Sequence, residues 1–242
     1  MIDKATRPNL EQANSLSRPW ALRDILIVAS PVVVLGTVGN VVGLGTLAGG
    51  AIVNLGYVLM IILGGLVLKR QSSNWREIGL GKPPSWVKTA LFGVGAFVAA
   101  VVVFLVMQTI VVGLLTAMGL ALPEIDLSRF SEIEGNLPFF MLLVTLAWTT
   151  IAFGEEMFYR AFLISRMIDF TAIGQGLAIL IAGIFFGVVH FAEGSLGILS
   201  NGAFGILFGW IYVRSGRNLW ITIIGHGLIN TLRFTLLFVG AA

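Results

Sequence analysis

The chain has only two histidines, His190 and His226, and both fall in strongly apolar stretches. Glu155, Glu156, Arg160 and Arg233 are the other ionisable residues that stand out inside such stretches. A buried acid or base in a membrane costs at least a few kcal/mol unless it is paired or faces a wet cavity, so residues of this kind mark a functional site by default. Helical geometry sorts them. Residues four apart share a face whereas adjacent ones diverge by about 100°. In Gly154-Glu155-Glu156-Met-Phe-Tyr-Arg160, Glu156 therefore lies over Arg160 and Glu155 points elsewhere, which predicts a structural ion pair beside a free carboxylate. Phe186 and His190 form a second i, i+4 pair, and His226 and Asn230 a third. Phe186 by itself reads as a packing residue. A carboxylate partly desolvated among neighbours such as Phe158 and Phe162 is a better base, and an imidazole and a carboxamide one turn apart can both donate to a developing oxyanion.

The elements that position these residues are membrane helices. Of 242 residues, 57% are hydrophobic and 11% charged, with a mean hydropathy of +0.96, which excludes a water-soluble domain. The apolar segments follow one another with short polar breaks, so an all-α polytopic transmembrane bundle is expected. Residues 1–24 read as a cytoplasmic tail with a short interfacial helix around Trp20. Residues 25–242 read as one bundle, its catalytic part at 137–240. Ile25 to Leu68 is uncharged and fits two spans turning at Leu47–Gly50. Lys69 to Lys88 carries five cationic residues against Glu77 and is expected to stay in the cytoplasm.

Thr89 to Leu122 reads as one tilted span. The loop Pro123 to Asn136, with Glu124, Asp126, Glu132 and Glu134 against Arg129, reads as external. Further spans are expected from Leu137 towards Asp169, from Ile173 to Phe191, from Gly197 to Val213 and from Leu219 to Gly240. The total is about seven, with eight as the alternative, in a plasma or inner membrane with the N-terminus cytoplasmic. The site is expected in the inner half of the bilayer, opening towards the cytoplasm. The net charge of +3 reflects basic residues beside apolar spans, an orientation signal, so no nucleic-acid partner is expected. The absence of cysteine removes disulfides and thiolate chemistry.

In order and on separate helices, Glu155-Glu156-x-x-x-Arg160, Phe186-x-x-x-His190 and His226-x-x-x-Asn230 resemble the three motifs of the CAAX protease and bacteriocin-processing family of intramembrane endopeptidases. The resemblance covers about Leu137 to Gly240. It implies a glutamic-type protease in which Glu155 and His190 activate a water, His226 and Asn230 stabilise the oxyanion, and Glu156 and Arg160 support the site. The implied partner is a membrane-embedded or lipidated peptide or protein in the bilayer. HExxH and G-x-S-x-G patterns are missing, which sets aside classical zincins and serine hydrolases. No cofactor is expected. Zinc stays open as the alternative, because two His and one Glu also make a three-ligand catalytic site. Two other functions remain as alternatives: a non-proteolytic immunity or scaffold protein of the same fold, and a proton-coupled transporter using Glu155 and the histidines as a relay.

Overall fold

The computed structural model describes residues 10–43, 46–121, 132–171 and 173–241. The sequence expectations for residues 1–9 of the tail and for 123–131 of the acidic loop lie outside the described residues. The described chain is all-α. In order, the helices are α1 (Leu10–Val42), α2 (Leu47–Arg70), α3 (Trp86–Ala117), α4 (Leu137–Phe170), α5 (Gln175–Val188), α6 (Gly194–Arg214) and α7 (Leu219–Phe238). Six are long and apolar enough to cross a membrane, and α5 is a shorter apolar helix, which agrees with about seven spans. Trp20 lies within the continuous helix α1, so the predicted short interfacial helix is part of a longer one. The first turn comes a few residues earlier than expected, because Thr46 caps α2 by accepting from Gly49 N at 3.0 Å. Ser85, Asn136 and Asn218 cap α3, α4 and α7 in the same manner.

The central element is α4. Every residue from Glu156 to Ile164 is buried, and α1, α2, α5, α6 and α7 all pack on it. Two stretches of α4, Ala147–Ile151 and Glu156–Ile164, have π-helical hydrogen bonding, the wider turn that recurs at functional sites. Outward, α1 and α3 expose Val33, Val34, Leu91, Phe92 and Val98, side chains suited to lipid.

The α5–α6 hairpin is tight because small residues let the two backbones meet: a Cβ on Gly187 would lie 2.4 Å from the Ile198 carbonyl oxygen. With 14 residues α5 rises about 21 Å, short of a ~30 Å hydrocarbon core. The expected span through Phe191 therefore stops at Val188, and His190 sits in the turn beyond the helix. Phe191–Glu193 then form a single 3-10 turn, and Gly194, at φ 73°, takes the left-handed backbone that lets α6 begin.

One end of the bundle gathers the basic breaks. Arg217 holds Asp169 through two bonds of 2.7 Å, Tyr212 donates to the Ile78 carbonyl at 2.7 Å, and Trp220 donates to the Gly81 carbonyl at 3.1 Å. The loop after α2 and the turn after α6 thus lie together. At the opposite end Gly135 N donates to the Phe238 carbonyl at 3.0 Å.

Candidate active site

Glu155 and Glu156 sit where α4 passes from α-helical to π-helical hydrogen bonding. Both are buried, at 6% and 0% exposure. The predicted Glu156–Arg160 pair is present, with Arg160 Nη1 2.9 Å from Glu156 Oε1. The approach is close in distance but poorly aligned: neither Nη1 nor Nη2 makes a hydrogen bond of good geometry. The guanidinium is instead surrounded by rings, with Cζ 4.7 Å from the Phe186 centroid, 5.5 Å from Phe204 and 5.6 Å from Phe208. Cation–π attraction is strongest where water is excluded, and here it supplements the ion pair.

The expected free carboxylate beside an ion pair is not what the bundle produces. Both approach one imidazole. His226 Nδ1 is 2.8 Å from Glu156 Oε1, and its Nε2 is 3.6 Å from Glu155 Oε2. The side chains leave α4 in different directions, but the ring from α7 lies between them and offers one nitrogen to each. Since a carboxylate only accepts, Nδ1 of His226 carries the proton and donates it to Glu156. That bond fixes the ring and leaves Nε2 directed at Glu155. Phe204 at 4.9 Å and Phe186 at 6.0 Å pack their rings around the imidazole.

His190 is half-buried, beside Phe186 at a ring separation of 4.8 Å. Phe186 is itself 1% exposed. The helical i, i+4 relation acts through the backbone: His190 Nδ1 is 2.7 Å from the Phe186 carbonyl oxygen. The carbonyl can only accept, so Nδ1 is the protonated nitrogen and Nε2 of the neutral ring is free to take a proton. No hydrogen bond or ion pair joins His190 to Glu155; the Phe186 ring lies against both histidines, at 4.8 Å from His190 and 6.0 Å from His226. Asn230, one turn beyond His226 on α7, is half-buried.

Three further contacts were not legible from the motifs. The Tyr57 hydroxyl, from α2, donates to Glu155 Oε1 at 2.5 Å. Glu193, three residues past His190, accepts from Arg233 Nη1 at 3.0 Å and from Asn201 Nδ2 at 3.2 Å, tying the α5–α6 turn to α7. The Trp148 indole, on α4, donates to Thr231 at 3.0 Å. An acid so close to His190 was a signal in the sequence for the second contact. For Tyr57 there was none, since its span is uncharged. Among the described residues no group of three His, Cys, Asp or Glu side chains is arranged to hold a metal ion. The zinc set of Glu155, His190 and His226 is not assembled among them.

Fold and site together define a polytopic α-helical membrane protein with a buried cluster of two carboxylates, a guanidinium and an imidazole at its centre. Residues 137–232 match the family model described as Type II CAAX prenyl endopeptidase Rce1-like. The matched part runs from the start of α4 to beyond Asn230 and holds all three motifs, so this part of the chain is similar to the Rce1-like CAAX prenyl endopeptidases. No curated protein and no solved structure matches the chain.

Proposed function

We propose that the chain is an intramembrane endopeptidase that hydrolyses a peptide bond of a membrane-embedded or lipidated protein with a water activated by Glu155. The observation that carries this reading is the meeting of Glu155 Oε2 and His226 Nε2 at 3.6 Å inside an apolar shell. Groups at that separation can both reach one small molecule, each at about 2.8 Å. Glu155 takes a proton from the attacking water as its oxygen bonds to the substrate carbonyl carbon. The resulting oxyanion accepts from His226 and Asn230. Glu155 then returns the proton to the leaving amine as the C–N bond breaks. His226 donates through Nε2 as the imidazolium, because Nδ1 already serves Glu156, and the carboxylates on either side are the partners such a cation requires. His190, with Nε2 free to accept, orients the same water by accepting a hydrogen bond from its second hydrogen, which stays on the product carboxyl group.

The family description names prenyl endopeptidases, which supports a lipidated tail as the substrate class. The gathering of Lys82, Arg214 and Arg217 at one end of the bundle supports a cytoplasmic location for that end, in an inner or plasma membrane. Comparison of peptide termini in host membranes carrying the wild type or Glu155→Ala tests the reading. Termini that depend on the wild type are expected. Identical sets of termini would contradict it.

A further inference from the structure

Glu155 has two oxygens, and the structure gives them different surroundings. Oε2 faces His226, whereas Oε1 accepts the Tyr57 hydroxyl at 2.5 Å. Tyr57 belongs to α2, outside the matched residues 137–232. Its ring is buried at 8% exposure, and it seats directly on the residue before the glutamate: a Cβ on Gly154 would lie 2.9 Å from Tyr57 Cδ1 and 3.2 Å from Cβ and Cγ. Only a glycine leaves that space. One turn earlier on the same face of α2, Asn54 bonds to Thr150 in the first π stretch of α4. Two polar side chains of α2, three residues apart, thus grip α4 at and just before the glutamate in a segment otherwise held by apolar contact.

Resting on the reading of Glu155 as the base, we infer that Tyr57 is a positioning residue of the hydrolytic site, which α2 supplies to orient the glutamate. A carboxylate on a flexible side chain turns about its last bonds, and an oxygen meant to take a proton must be held in line with the water. The hydroxyl occupies Oε1 and its lone pair there. Oε2 is left as the working oxygen, aimed at His226 Nε2 and at the substrate's side of the cluster. The Gly154 contact sets the height of the ring, and therefore which oxygen it takes. The matched domain carries the acid, the imidazoles and the amide, while the element that fixes the acid's direction lies in the part of the chain that carries no motif.

The test is steady-state kinetics of Tyr57→Phe and Tyr57→His in the full-length protein, beside the wild type and Glu155→Gln, with the thermal midpoint of each variant. Phe keeps the ring and loses the donor; His keeps a donor on a smaller ring. The expected result is a kcat lower by ~10- to 100-fold for Tyr57→Phe with KM and thermal midpoint unchanged, the scale of rate loss that follows misplacement of a reacting group by about 1 Å. Partial recovery of kcat is expected in Tyr57→His. A Tyr57→Phe protein that keeps wild-type kcat, or loses its fold, or loses activity through KM alone, overturns the inference and leaves the proposed function standing. Full activity in Glu155→Gln would remove the base itself, and the inference with it, a result that the Tyr57 variants cannot mimic.

Discussion

His190 and His226 are held in the same way at Nδ1 by different acceptors, a backbone carbonyl and a buried carboxylate. In each ring only Nε2 is left for chemistry. The consequence for His190 is direct: His190→Ala removes an accepting nitrogen without removing a tertiary hydrogen bond, since the Nδ1 partner is the backbone of the helix that immediately precedes it. Turnover is expected to fall by about 10²- to 10⁴-fold, the range for an acid/base partner, with the thermal midpoint kept. Kinetics and a melting curve of the same preparation check this, and turnover near the wild-type rate would remove His190 from the mechanism. At this scale the sequence was informative where a property depends on local spacing. The Glu156–Arg160 pair follows from four-residue periodicity. The contact of Glu155 with His226 spans 71 positions of chain, and nothing in the spacing of α4 alone indicates that a ring from α7 enters between the two acids.

Within α4, the ion pair is buried so completely that its removal and its halving have different consequences. Arg160 and Glu156 are 1% and 0% exposed. Glu156→Gln leaves the guanidinium without its counter-charge, and Arg160→Met leaves the carboxylate without its own. Each is expected to cost roughly 3–5 kcal/mol of stability. The double variant leaves no uncompensated member of the pair and is expected to be milder than the sum, which a thermal-stability cycle in detergent measures. Strict additivity would contradict the pairing. The helix boundaries show where element-level reading runs out. Apolar composition continues past Val188 to Phe191, yet α5 ends first, because the left-handed Gly194 and the 3-10 turn before it reverse the chain. Hydropathy registers none of that geometry. Equally, the uncharged Ile25 to Leu68 segment gave two spans but no hint that Tyr57, one of only three tyrosines, faces the site.

Across the whole molecule, bonds among the loop after α2, the end of α4 and the turn after α6 bring the basic breaks to one face. The span count and the all-α class were readable because the bilayer forces the backbone to satisfy itself within helices. Which helices touch was not, since small-residue contacts such as Gly187 on Ile198 depend on register between segments. Because the chain has no cysteine, orientation can be measured with single introduced thiols. Lys82→Cys is expected to react with a membrane-impermeant maleimide only after the cytoplasmic side is opened, and Leu120→Cys from outside intact cells. The reverse pattern would invert the topology.

The most direct measurement on the site as a whole is hydrolysis of a prenylated peptide, or of a substrate identified by its new terminus, by purified wild type and Glu155→Gln reconstituted in lipid vesicles. A carboxamide keeps the shape of the side chain but cannot take the water's proton. The predicted result is cleavage by the wild type and none above background by a Glu155→Gln protein of unchanged thermal midpoint. Normal turnover by that folded variant would contradict glutamate-activated hydrolysis.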